Sequence, residues 1–241
     1  MSAAPQVTGP IGQRGFSIVE LLIAMAIGLF LSAVGTTLLV SQLHESKSLL
    51  TEARLMQDLR TAADLISRDL RRAGYWGAAA TGVWTRDETP GGAQVVSNPY
   101  ADFSPGTSTS ISTSASTDAV TFSYSRYARE NNAVDTNEQF GFRLRRNVIE
   151  MQLGSGNWQA LTDANTISIS AFSVTPSLQE IPLTNLCALA CPTGSSYCPP
   201  RQLVRSLAVS ITGRSTTNAT VVRNVRIAVR VRNDALSGSC A

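Results

Sequence analysis

The chain has 241 residues, 43% of them hydrophobic and only 15% charged, with a formal net charge of +3. A charge this small and dispersed makes nucleic acid an unlikely direct partner. A single histidine, His44, leaves almost nothing for a His-based triad or metal site. The length holds one ordinary domain plus a membrane segment.

Residues 1–15 are polar, contain Gly and Pro, and carry Arg14 as their only charge, so they read as a leader rather than a core element. Directly behind them comes Phe16-Ser17-Ile18-Val19-Glu20, then an apolar run from Leu21 to Val40 with no charge, amide side chain or proline. Twenty helical residues cover roughly 30 Å, the thickness of bilayer hydrocarbon. In an ordinary secretory signal the apolar run precedes the cleavage point. Here the processing point, after Gly15, precedes the run, so the mature chain keeps its apolar helix. Glu20 is the anomaly, because a carboxylate at the edge of hydrocarbon is costly. A cut after Gly15 creates an ammonium at Phe16, one helical turn from Glu20, where the two can pair. Glu20 also suits the positive end of the helix.

The stretch Arg14-Gly15-Phe16-Ser17-Ile18-Val19-Glu20-Leu21-Leu22-Ile23-Ala24 resembles the N-terminus of type IV prepilins and type II secretion pseudopilins. The resemblance implies cleavage after Gly15 by a prepilin peptidase, N-methylation of Phe16 and an assembly role for Glu20. Many major pilins carry a proline in the apolar helix, and this sequence has none. Gly28 and Gly35 allow close helix approach or local loosening instead.

From Ser41 the pattern becomes amphipathic without a helix breaker. Leu49, Met56, Ala63 and Leu70 recur every seven residues, with Leu59, Ile66 and Ala73 between them. Arg54/Asp58, Arg60/Asp64 and Asp64/Arg68 are spaced to pair on the wet face. One helix is expected from about Phe16 to Arg72, roughly 85 Å long, capped by Gly74. The stripe is expected to bury Leu49, Met56, Leu59, Ala63, Ile66 and Leu70 against the chain's own sheet, in preference to a coiled-coil partner. The segment Arg68 to Gly77 resembles the end of the long helix in PilW-family minor pilins, and the strand-rich remainder resembles that family and the J-type pseudopilins.

Residues 75–117 carry turn signals at Thr89-Pro-Gly-Gly and Asn98-Pro99 and a Ser/Thr-rich loop, 104–117. Alternating patterns predict strands at Ala119–Ser125, Phe140–Arg145, Val148–Leu153, Trp158–Leu161, Thr166–Val174, Leu203–Thr212 and Val221–Val231. A Cys-rich loop over 176–201, with cysteines at 187–198, interrupts them. In the last strand, arginines line the face opposite the valines, a pattern usual for a solvated face.

Cys187, Cys191, Cys198 and Cys240 make an even set beyond a membrane segment and are read as disulfides rather than a zinc site. Of three possible pairings, Cys191 with Cys198 and Cys187 with Cys240 is a plausible one. No metal, cofactor or catalytic constellation is expected.

These readings combine into an α+β fold. Its parts are a leader (1–15), a transmembrane and assembly helix (16–40), an amphipathic half (41–74) and a periplasmic antiparallel β domain (75–241). The expected function is that of a minor type IV pilin that primes or caps pilus assembly, serving adhesion, twitching motility or DNA uptake. A J-type pseudopilin of type II secretion is the alternative, and a membrane-anchored periplasmic binding module the rival from another class. Expected partners are the prepilin peptidase, other minor pilins and the major pilin, the inner-membrane assembly platform, and lipid before assembly. The expected location is the inner membrane and then the pilus.

Overall fold

The computed structural model describes residues 15, 17–82, 97–104, 116–126 and 130–240. The chain divides into two compact units, Met1–Leu50 and Thr51–Ala241. Helix α1 (Ile18–Arg72) contributes its first part to one unit and its residues from Thr51 onward to the other.

In the first unit, every described residue of α1 up to Leu50 is exposed, including Leu22, Phe30 and Leu38. The segment is long and apolar enough to cross a membrane. Its hydroxyl groups are bonded back to the helix's own carbonyls: Ser32 to Gly28 O at 2.8 Å, Thr36 to Ala33 O at 2.9 Å and Thr37 to Val34 O at 2.8 Å. No hydroxyl of that group needs water, which suits a helix in an apolar medium.

In the second unit, α1 lies on two antiparallel sheets, where a single sheet was expected. The first is a meander of β1 (Phe103–Ser104), β2 (Ala119–Ser123), β3 (Gln139–Arg145), β4 (Val148–Leu153) and β5 (Trp158–Ala160). Arg146 and Asn147, with φ of 50° and 64°, make the two-residue β3–β4 turn, because paired positive φ values match strand twist. The second sheet contains β6 (Ile167–Pro182), β7 (Arg201–Ser215) and β8 (Val222–Arg230), and β9 (Ala235–Ser237) also pairs with β7.

The core joins one helix stripe to both sheets. Leu55, Leu59, Ala63, Ile66 and Leu70 meet Val120, Phe122, Phe140, Phe142 and Ile149 from the first sheet and Ile169, Phe172, Val174, Val209 and Ile211 from the second. The stripe departs from the expected one at its start. Leu49 is 67% exposed and Met56 only half-buried, while Leu55 is buried. The spacing from Leu55 is four, then four, then alternating threes and fours, the helical period of 3.6; the strict seven-residue count back from Ala63 drifted off the buried face. Gly213 on β7 allows the approach, because a Cβ there would sit 3.0 Å from Leu59.

Two strand expectations are corrected. A β-bulge between Ile169 and Ala171 shifts the register, so Ala171 is exposed and the inward set resumes at Phe172 and Val174. β6 also continues past Val174 to Pro182, pairing Pro176 with Leu207, and the connecting loop shrinks to 183–200. Proline is tolerated there because β6 is an edge strand whose outward N–H positions need no partner. On the helix, Arg54/Asp58, Arg60/Asp64 and Asp64/Arg68 form no ion pairs. Asp69–Arg72 at 3.9 Å and Glu52 with Arg223 of β8 occur instead.

Candidate processing and assembly segment

The functional residues named from sequence concentrate at the start of α1. Gly15 is exposed; Phe16 lies outside the described residues, as do Met1 to Arg14. The Ser17 carbonyl accepts the Leu21 N–H at 3.1 Å, which makes Ser17 the residue that opens the helix. Glu20 stands in the first turn and is exposed. Ser17-Ile18-Val19-Glu20 has the spacing of a capping box, in which a hydroxyl and a carboxylate serve the unsatisfied N–H groups of the first turn. That signal was present in the sequence beside the charge argument, and both place Glu20 at the positive helix end. Among the described residues Glu20 forms no ion pair.

At the other end of α1, the Arg68–Gly77 segment is a seat rather than a mere cap. Gly74 has φ of +71° and donates its N–H to Ser123 O at 2.9 Å. The carbonyls at the helix end find partners from a distant segment: Arg71 O accepts the Arg232 N–H at 3.1 Å, and Arg72 O and Ala73 O accept the Asn233 amide at 3.3 and 3.1 Å. Arg72 lies over the Tyr124 ring at 4.2 Å. Trp76 is buried and donates to Asn132 at 2.9 Å.

Sequence reasoning missed the two buried polar groups behind this seat. Arg205 of β7 is 1% exposed and donates to Ala101 O at 2.6 Å and Asn233 O at 2.8 Å. Burial pulls its pKa down, partly offset by Asp234 and Asp102. The second group is a pair of carboxylates around Tyr100. Its hydroxyl lies 2.9 Å from Glu130 and 3.0 Å from Glu138, which is fully buried. Backbone N–H groups of Gly77 and Asn132 serve Glu130, and those of Arg126 and Asp135 serve Glu138. Burial and these carboxylates push the Tyr100 phenol up, which keeps it a donor. An arginine in an alternating strand and a glutamate in a loop give no sequence signal of burial.

The four cysteines form two bonds, Cys187–Cys240 and Cys191–Cys198. The Cys187, Cys191 and Cys198 sulfurs lie within 4.8 Å of one another, but each is committed to a covalent S–S bond. β9 brings the tail beside the loop by pairing Arg201–Leu203 with Ala235–Ser237, and Ser239 N–H bonds Tyr197 O at 2.9 Å. The arginine face of β8 is solvated: Arg226, Arg230 and Arg232 are exposed, and Arg230 reaches Asp234 at 3.0 Å. Of the Ser/Thr-rich loop, residues 105–115 lie outside the described residues, as does Thr89-Pro-Gly-Gly.

Comparison with known proteins bears on both units. Residues 11–36 match the prokaryotic N-terminal methylation motif, and residues 48–231 match the model of prepilin peptidase-dependent protein B. No curated protein and no solved structure matches the chain. The second match covers most of the chain and includes the end of α1, strands β1 to β8 and the loop closed by Cys191–Cys198. The first covers Gly15 to Glu20 and the exposed apolar helix. Proteins of this pilin-like kind are structural rather than enzymatic, and dependence on prepilin peptidase names the processing enzyme as a partner. With both matches in register with the two units, the chain belongs to the prepilin peptidase-dependent protein B family and is a type IV prepilin-like protein.

Proposed function

We propose that this protein is a minor pilin of the PilW kind, a structural subunit that primes or caps a type IV pilus. The observation that carries the reading is the first part of α1. Its run from Leu21 to Val40 is apolar on all sides and exposed throughout, and Ser17 and Glu20 stand between that run and Gly15. Such a surface is stable in lipid or among sister helices, and both environments are needed in turn by a subunit extracted from a membrane into a filament. The proposed sequence is cleavage after Gly15, methylation of the new Phe16 amine, and entry of residues 16–40 into the filament core. The Phe16 ammonium is then neutralised by Glu20 of a neighbour. Residues 41–74 carry the amphipathic half and residues 75–241 the periplasmic domain, which meets other minor pilins and the major pilin at the assembly platform. Disulfides suit that oxidising side.

N-terminal sequencing of the mature protein from membranes tests the first step. An N-methylated Phe16 terminus is expected. An intact Met1 terminus in cells with active peptidase would overturn the reading.

A further inference from the structure

The face of the first sheet turned away from the core holds a trough that the assembly reading does not use. The strand registers line up one residue from each strand across the whole sheet: Ser104, Thr121, Gly141, Gln152 and Trp158. Ser123 and Gln139 form the adjacent pair. Ser104, Thr121, Ser123, Gln139 and Gln152, with Asp102, Pro99 and the apolar Phe103, Phe122, Val134 and Phe140, line a cavity of about 490 Å³, within the range of small-molecule sites.

Three observations point to a ligand and to its chemistry. First, the polar groups are unspent. Among the described residues, the side chains of Ser104, Thr121, Ser123, Gln139 and Gln152 have no hydrogen-bonding partner, although Ser123 and Gln152 are each only 8% exposed. The polar atoms of Ser123 and Gln152 are not sealed off, so they stand open to the cavity. Second, no side chain separates Thr121 from Gln152 on this face: Gly141 lies between them in register, and a Cβ there would sit 2.7 Å from Val120 O and 3.2 Å from the Gln152 amide oxygen. Third, no lining residue is basic, and Asp102 is the only charged one. Arg143, on the same face of β3, is committed to Glu150 at 2.7 Å and lies over the Trp158 ring at 4.0 Å. An anion is disfavoured by that balance, and an apolar ligand would strand the polar floor. Hydroxyls and side-chain amides both donate and accept, which matches the adjacent hydroxyl groups of a sugar ring.

We propose that this trough binds a neutral saccharide of one to three rings, with Thr121 and Gln152 as its central hydrogen-bonding groups. The site lies in the second unit and is independent of how the helix assembles.

The test uses the full chain in lipid nanodiscs free of glycolipid and glycoside detergent. Maltotriose, cellotriose and triacetylchitotriose are the probes, read by saturation-transfer NMR. At least one is expected to bind. Thr121→Val and Gln152→Leu should each weaken that binding about threefold to tenfold, the worth of one hydrogen bond. Arg226→Gln, on the solvated face of β8, should leave it unchanged. Ser104→Ala at the sheet edge gives a second reading should either core-strand variant fail to fold. Absence of binding by all three probes to the folded chain would overturn the proposal. So would equal binding by the wild type and the trough variants, or binding of a neutral Ser/Thr-rich peptide in place of any saccharide.

Discussion

The two parts of α1 obey the same helical geometry and opposite rules of burial. Up to Val40 its apolar side chains surround the helix, and every described residue up to Leu50 is exposed. From Leu55 onward they shrink to one stripe, and Leu59, Ile66 and Leu70 are completely covered. The stripe is the pattern of a helix that folds with its own chain. The all-round apolar surface is the pattern of a helix whose cover must come from outside it, and burying or immersing that much area is the dominant available driving force. A single charged side chain, Glu20, stands at the open end of that surface. The difference teaches where each kind of mutation should act: at the first part on assembly with fold untouched, at the second on fold.

Glu20→Ala offers the largest effect. Cleavage after Gly15 should persist, because the cut lies outside the helix, while incorporation into pili should be lost. Immunoblots of membrane and sheared-pilus fractions give the measurement, and the thermal melting of the second unit should not move. Normal incorporation of the variant would break the contrast between the two parts.

Arg205→Ala is the converse experiment. It removes a buried cation and leaves the Ala101 and Asn233 carbonyls unserved beside a cavity. A loss of about 3–5 kcal/mol is expected from those terms, read as a fall in melting temperature of the whole chain. Peptidase cleavage should be unchanged. If stability held, the seat of α1 would not depend on this residue.

How much of this was legible in the sequence follows from the range of the forces involved. Local signals carried far: the apolar run, the Gly15-Phe16-Glu20 constellation, the Arg146-Asn147 hairpin and the alternation along β8 each depend on neighbours in sequence. The failures needed partners distant in sequence. Pro176 read as loop because only the sheet order shows that β6 is an edge. Ala171 read as inward because a bulge leaves no mark in an alternating pattern. Arg205 carried no signal of burial because its acceptors, at Ala101 and Asn233, come from remote segments. Cysteine pairing was open for the same reason: the β9–β7 ladder, not the spacing, carries the tail to the loop.

Gly74→Ala should have a smaller effect. Its φ of +71° disfavours a side chain, and a Cβ would stand 2.8 Å from an Arg205 nitrogen at the end of a flexible chain. About 1–2 kcal/mol of destabilisation is expected, mostly from the backbone. Hydrogen exchange should show the loss first at the end of α1 and at Ser123, whose carbonyl holds the Gly74 N–H. A melting temperature equal to wild type would mean that the helix end is not held in the left-handed turn.

The smallest effect is a pH dependence that belongs to the second part of α1 alone, through the Tyr100 cluster beneath its seat. Burial pushes the Glu130 carboxyl up. The neighbouring Ser125 hydroxyl, the Asn132 N–H, Tyr100 and the Gly77 N–H outweigh it and hold the pKa below the ordinary 4.5. A carboxyl held low in the folded state stabilises fully above its unfolded value and loses that contribution as pH falls through the folded one. Asp69 acts in the opposite sense, because burial raises its pKa against the pull of Arg72. Glu130→Gln should therefore lower the melting temperature at neutral pH, and the gap to wild type should close as pH drops below about 4.5. A gap that stays constant with pH would assign the loss to packing instead of charge.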